Sequence, residues 1–227
     1  MGITLHYLEK SRATRVVWLL EELGVPYQTK TYFRNPQTKL AGPELARVHP
    51  SGVSPLIEDN GVVYAESGNI VDYLINTYGK ESSLIWKDSA EQATIKYAMY
   101  AAESNIAISG FMLGIHRIAA TRAPWGLQTL ISTFLGKVDS FYAKKEFHKN
   151  LTNLQAQIEK NGGWYCNGRL TVADIMYEVT LEQFFMLGML KNLKDEYPGL
   201  YAWNQRIKNE PGYIKALEKQ KELEKGH

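Results

Sequence analysis

The chain has 227 residues, 44% of them hydrophobic and 22% charged, with 26 basic against 24 acidic side chains for a net charge of +2. This is the composition of a globular chain long enough for one large domain or two small ones around a real core. The near balance of charge, with no basic stripe, excludes an electrostatic grip on nucleic acid or on a charged membrane surface.

The only cysteine is Cys166, so no intramolecular disulfide is possible, which fits a reducing compartment. No basic segment followed by an apolar run opens the sequence, and His6 stands where a myristoylation pattern needs Ser or Thr. The longest apolar run, residues 184–190, is far too short to span a bilayer. The expectation is a cytoplasmic protein with no membrane span.

Residues 3–8 read as a strand. Residues 15–23 read as a helix, with Val16, Leu19, Leu20 and Leu23 on one face, stopped by Gly24 and followed by Pro26. Residues 27–33, rich in Thr and aromatics, are a second strand, and a polar loop covers 34–42. Pro43 at a first-turn position opens a short helix over 43–48. Residues 56–58 and 62–64 form a hairpin across Asp59-Asn60-Gly61, and a helix runs over 67–78. The order βαβ, linking helix, ββα implies a four-stranded mixed sheet with helices on its faces.

Residues 81–90 read as a polar linker around an apolar anchor, Leu84-Ile85-Trp86. Strand signals then stop. Long helical patterns cover about 91–120, 127–160 and 172–189, with shorter pieces beyond. The expected division is an α/β domain over 1–80 and an all-helical domain over 91–227. In the second half, Thr171 and Asp174 stand at capping-box spacing, with Leu170 and Ile175 at the staple positions, which reads as a folding nucleus.

Chemistry concentrates in "SGVSPLIEDNGVVYAESGNIVDYL", residues 51–74. Pro55 belongs at a strand's first residue or on an edge. A cis bond there would expose the backbone N–H and C=O of Ser54 to an extended peptide ligand, while base rates favour trans. Ser67 suits a helix N-cap. A free helix start binds a carboxylate through its N–H groups, and Glu66 beside it suits an ammonium, so the pair also fits the zwitterionic end of an amino acid. The residues alone leave both readings open.

Three stretches lie in order along the chain: "SRATRVVWLLEELGVPY" at 11–27, "HPSGVSPLIEDNGVVYAESGNIVDYL" at 49–74 and "LTVADI" at 170–175. Together they resemble the cytosolic glutathione transferases, and most closely the fungal and bacterial members with "HxLxxSRxxRxxWLLEEL" near the start. The resemblance implies a thioredoxin-like domain followed by the helical one. It implies that Ser54 and a cis Pro55 bind the cysteinyl backbone of glutathione, and that Glu66 and Ser67 bind its γ-glutamyl end. It implies no cofactor, glutathione being the co-substrate, and it implies a homodimer.

The expected activity is conjugation of the glutathione thiolate to hydrophobic electrophiles, a detoxification chemistry, with hydroperoxide reduction open to the same thiolate. The thiolate is the nucleophile, and a hydroxyl donor between the first strand and first helix stabilises it. Ser11 stands there, and the resemblance makes it the preferred donor. Tyr7 is the competing donor, with strand packing as its other reading. Arg12 adds positive charge near sulfur, or is a solvated side chain or a salt-bridge partner.

Lys39 is a candidate for the glycyl carboxylate, and Val53 stands where many relatives carry Lys or Gln against the ligand. The electrophile is expected between the domains, against the first long helix. Tyr97, Tyr100, Ser104, Phe111 and Ile115 fall near one face there, Tyr100 and Ser104 being preferred, with core or dimer contact as the alternative. Cys166 reads as a packing residue. The histidines show no metal-ligand spacing, so no metal is expected. A non-catalytic regulatory or binding protein on the same fold is the alternative reading.

Overall fold

The structure is a computed structural model that describes residues 2–225; the outermost residues of the two expected domains, 1 and 226–227, lie outside the described residues. The chain divides into two compact units, one of residues 1–87 with 206–227 and one of residues 88–205.

The first unit is built on a four-stranded sheet in the order β2-β1-β3-β4. Strand β1 (Ile3–Leu8) is central: it pairs in parallel with β2 (Tyr27–Tyr32) and antiparallel with β3 (Leu56–Asp59). Helix α1 (Thr14–Leu23) is the crossover between β1 and β2. Strand β4 (Val62–Ala65) closes the hairpin with β3, its turn carried by Asn60 and Gly61, both at positive φ. Helices α2 (Glu44–Val48) and α3 (Ser67–Tyr78) complete the unit's first chain segment. A strand buried on both faces reads as an almost continuous apolar run, as "ITLHYL" does. Leu8, Leu45 and Leu56 form the core under α2.

Helix α1 ends where the sequence placed its stop. Gly24 has φ +61°, and the Val25 N–H reaches back to the Leu20 carbonyl at 3.2 Å. Its face is wider than the periodicity suggested, because Val16 through Leu20 are all buried. The cover comes from α11 (Pro211–Leu223), where Tyr213 sets its ring edge-on to Trp18 at a centroid distance of 4.9 Å. This is where the expected division differs from the structure: the last helix packs with the first unit instead of closing the helical domain. Apolar surface on α1 draws it there. Tyr213→Ala is expected to cost about 3 kcal/mol of stability through the buried ring it removes. Urea denaturation followed by Trp fluorescence checks this.

The second unit is helical. The expected helix over 91–120 is α4 (Ser89–Ala101), a π-helical segment (Ala102–Ala107) and α5 (Ile108–Thr121). The pattern over 127–160 breaks at Tyr142 into α6 (Gln128–Phe141) and α7 (Ala143–Lys160). Helix α8 (Val172–Met186) is buried along most of its length and forms the core. Short helices α9 (Leu193–Glu196) and α10 (Pro198–Ile207) follow. The capping box forms as read: the Thr171 N–H donates to Asp174 Oδ2 at 2.9 Å. Among the described residues, no helix is long and apolar enough to cross a membrane.

Candidate active site

The candidate residues of the first unit lie on the turn from β1 into α1, the loop after β2, the entry to β3 and the start of α3. At the first of these, Lys10 takes a positive φ of 49° and turns the chain. Ser11 is buried just beyond it. Its Oγ accepts the Ala13 N–H at 3.2 Å, and the Thr14 hydroxyl donates to its carbonyl. The N-cap residue of α1 is Ala13, whose side chain has no cap to offer. A hydroxyl that accepts an N–H still has its own proton to give. Among the described residues nothing takes that proton, so Ser11 stands at the helix mouth as an unspent donor.

Tyr7 is differently placed. It is fully buried, and its hydroxyl donates to Glu224 Oε1 at 2.6 Å. The same oxygen accepts the Lys10 N–H at 2.9 Å and Gln220 Nε2 at 3.4 Å. Glu224, just past α11, thus ties the end of the chain to the β1–α1 turn and holds the phenol. No reading of the sequence singled it out; 217 positions separate the partners, so no local pattern joins them.

Two cations surround the turn. Burial pushes the Arg12 guanidinium below its ordinary pKa, and the Glu66 carboxylate partly restores it. Arg15 is fully buried and pushed down to about 9, first by burial and then by Arg12. Both are cations at neutral pH. They supply the fixed positive charge that favours a nearby anion.

The Ser54–Pro55 bond is cis. The Ser54 hydroxyl donates to the His6 carbonyl at 2.9 Å and accepts the Leu8 N–H at 3.1 Å, extending the β1–β3 pairing by a side chain. Its backbone N–H and C=O make no hydrogen bond within the described residues and lie open as a strand edge does. Val53 beside it is exposed and offers no polar atom from its side chain. Lys39 is exposed in a tight loop, at φ +62°. Arg34 fixes that loop by donating to the carbonyls of Glu9, Lys10 and Lys39.

At α3 the structure departs from the simple capping reading. The N-cap residue is Glu66, not Ser67, and its side chain makes no capping bond. Its φ of +71° is a conformation that residues other than glycine rarely adopt. Ser67 is the first helical residue and is buried, yet its hydroxyl makes no hydrogen bond within the described residues. The carboxylate and hydroxyl serve neither the helix nor each other. They stand beside the exposed N–H groups of a helix start, a ready anion site.

In the helical unit the five candidates, Tyr97, Tyr100, Ser104, Phe111 and Ile115, separate. Tyr97 and Ser104 line a polar hollow with Tyr142 and Lys149. Phe111 and Ile115 line an apolar groove with Ile118, Met186 and Leu187. Tyr100 is exposed, and its carbonyl accepts the Ser104 hydroxyl at 2.9 Å. Cys166 is buried, and burial pushes its thiol up, away from the reactive thiolate.

A thioredoxin-like unit with a cis-proline loop and a helical partner is the architecture of a glutathione-binding class. The sequence profile of the glutathione S-transferase N-terminal domain matches residues 11–77, and that of the C-terminal domain matches residues 134–220. Glutathione S-transferase 3 of Schizosaccharomyces pombe is 32% identical over 174 residues, 76% of this chain and 70% of its own. Glutathione S-transferase 1 of Saccharomyces cerevisiae is 28% identical over 97% of this chain and 96% of its own. The crystal structure of a glutathione S-transferase from Actinobacillus pleuropneumoniae superposes with a TM-score of 0.78 at 24% identity, covering 99% of this chain and 97% of that one. A more remote relative is the transcriptional regulator URE2 of Saccharomyces cerevisiae, 24% identical over 89% of this chain and 64% of its own. The chain belongs to the glutathione S-transferase family.

Proposed function

We propose that this protein is an active glutathione transferase of the serine type. The observation that carries the reading is the contrast at the β1–α1 turn: Ser11 keeps a hydroxyl proton to give, while Tyr7 has committed its own to Glu224. The Ser11 hydroxyl donates to the glutathione sulfur and stabilises it as a thiolate. Arg12 and Arg15 favour the same charge. The thiol proton leaves to solvent. The thiolate then forms the C–S bond as the electrophile's leaving group departs with the bonding pair.

The same sulfur can attack the O–O bond of an organic hydroperoxide, releasing the alcohol. A second glutathione then takes the oxidised sulfur to the disulfide, with loss of water.

Binding follows the exposed donors and acceptors. The Ser54 backbone pairs with the cysteinyl residue, and the start of α3 takes the γ-glutamyl carboxylate through its N–H groups and the Ser67 hydroxyl. Glu66 takes the ammonium, and Lys39 reaches the glycyl carboxylate. Val53 adds no polar contact. The electrophile lies against the apolar groove at Phe111 and Ile115, with Tyr100 before the π-helical segment and Ser104 within it, earlier along the same run of helix. The active form is a homodimer.

Glu66→Gln is expected to weaken glutathione binding about tenfold, since a hydrogen bond to a charged group contributes about 1.5 kcal/mol or more. Isothermal titration calorimetry with glutathione checks this. Wild-type protein that binds glutathione without lowering its thiol pKa would place the chain functionally with a regulator such as URE2.

A further inference from the structure

One oxygen of Glu224 holds two groups at the end of β1 and the turn that follows. Its Oε1 accepts the Tyr7 hydroxyl at 2.6 Å and the Lys10 N–H at 2.9 Å, and Gln220 Nε2 on α11 steadies it at 3.4 Å. We propose that Glu224 is a positioning residue that selects the thiol donor: it holds the Tyr7 phenol back and seats the turn that presents Ser11. The proposal rests on the serine-type reading above and goes beyond it. It makes Tyr7 a second donor, kept silent by a single carboxylate from the far end of the chain.

Three features argue for this. The first is the backbone of Lys10. Its φ of 49° lies where residues other than glycine rarely go, so the turn persists only because its neighbours hold it. They do so from both sides: Glu224 accepts the Lys10 N–H, and Arg34 Nη2 donates to the Lys10 carbonyl at 3.4 Å. Ser11 is the next residue, so the bond that pins Lys10 also sets where the Ser11 hydroxyl stands. The second is anchoring. Glu224 follows α11, whose Tyr213 packs edge-on against Trp18 of α1, and α1 opens at the same turn. Helix packing therefore places the carboxylate beside the turn, independently of its bond to Tyr7.

The third is the state of the phenol. Tyr7 is fully buried near the end of β1, four positions before Ser11. A buried hydroxyl needs an acceptor, and a carboxylate is a stronger one than any neutral group. At 2.6 Å the contact has the length of a charge-assisted O–H···O⁻ bond. A thiolate that is to take this proton as a hydrogen bond must first displace a carboxylate oxygen. With the carboxylate removed, the phenol turns its proton to the anion that enters beside the turn.

The test is a rescue experiment on the full chain, read by ultraviolet titration of bound glutathione and by conjugation kinetics. Glu224→Ala is added to Ser11→Ala, and Tyr7→Phe is then added to both. Glu224→Ala is expected to raise kcat/KM of the Ser11→Ala protein about tenfold and to lower the bound thiol's pKa by about one pH unit, the two being the same effect below that pKa. Tyr7→Phe is expected to remove the whole gain. A carboxylate that only braces the turn predicts the opposite: its loss lowers activity whichever residue stands at position 7. Glu224→Gln repeats the comparison with an acceptor kept for the Lys10 N–H. It is expected to give a smaller gain, about threefold, with KM for glutathione unchanged from Ser11→Ala, because a neutral acceptor holds the phenol less firmly. No gain with either substitution, a gain that survives Tyr7→Phe, or a Tyr7→Phe effect as large with Glu224 as without it overturns the proposal. Ser11→Ala alone decides the serine-type reading. If it leaves the bound thiol's pKa unchanged, that reading fails, and the dependence of the Tyr7→Phe effect on Glu224 still decides this one.

Discussion

Ser11→Ala is expected to lower kcat/KM about 100-fold at a pH below the bound thiol's pKa, while Tyr7→Phe changes it less than about threefold. A free thiol ionises near 8.5, and lowering this by about two pH units needs about 2.7 kcal/mol of preference for the thiolate. At a pH below both values the thiolate fraction falls tenfold per unit, so loss of the donor restores the free pKa and removes about 100-fold of reactive sulfur. The measurement is an ultraviolet titration of the bound thiolate in wild type, Ser11→Ala and Tyr7→Phe, beside kinetics with an aryl halide. The structure sets the asymmetry: the Tyr7 hydroxyl points at Glu224 Oε1, 2.6 Å away, and a phenol held by a carboxylate is a poor donor to a second anion. If Tyr7→Phe abolishes thiolate formation and Ser11→Ala does not, the family stands and the assignment of the donor is reversed.

What could be read before folding follows a physical rule. The β1–α1–β2 unit, the stop at Gly24 and the box at Thr171 and Asp174 were legible because each depends on residues within one or two turns of each other. The position of Ser67 was half legible. Its chemistry favours an N-cap, but whether it caps depends on where the backbone first turns helical, and that happens one residue earlier than a Ser67 cap requires, with Glu66 as N-cap.

The common face assumed for Tyr97 through Ile115 fails for a definite reason. Residues Ala102–Ala107 form a π-helical segment, whose i→i+5 bonding shifts every later side chain around the axis relative to a continuous α-helix. An apolar pattern read at a period of 3.6 carries no mark of that shift. The Glu224 contact and the return of α11 to Trp18 were not legible at all. Both join segments at opposite ends of the chain, and only the folded sheet brings them together.

The largest loss of stability is expected from Asp174→Ala, about 4 kcal/mol, from the core of the helical unit. The capping box is only part of what this carboxylate does. Oδ2 accepts the Thr171 N–H and hydroxyl, each at 2.9 Å, and Oδ1 accepts the Tyr165 N–H and Trp203 Nε1, each at 2.9 Å. Asp174 is fully buried; burial raises its pKa and these four donors pull it back. Removing an N-cap partner from an exposed helix costs about 1 kcal/mol. Here truncation also orphans donors from two further segments at a buried site, at about 1–3 kcal/mol for each group left unsatisfied, less whatever the site relaxes. Trp203→Phe deletes one donor with its bond and also leaves a gap where the larger indole packed, and is expected to cost about 3 kcal/mol. The double variant is expected to cost less than the sum, since Trp203 Nε1 is no longer there to be orphaned. Equilibrium urea denaturation of the three variants decides it. Additive losses would mean that the indole and the carboxylate stabilise the unit independently, and that Asp174 is a helix cap and nothing more.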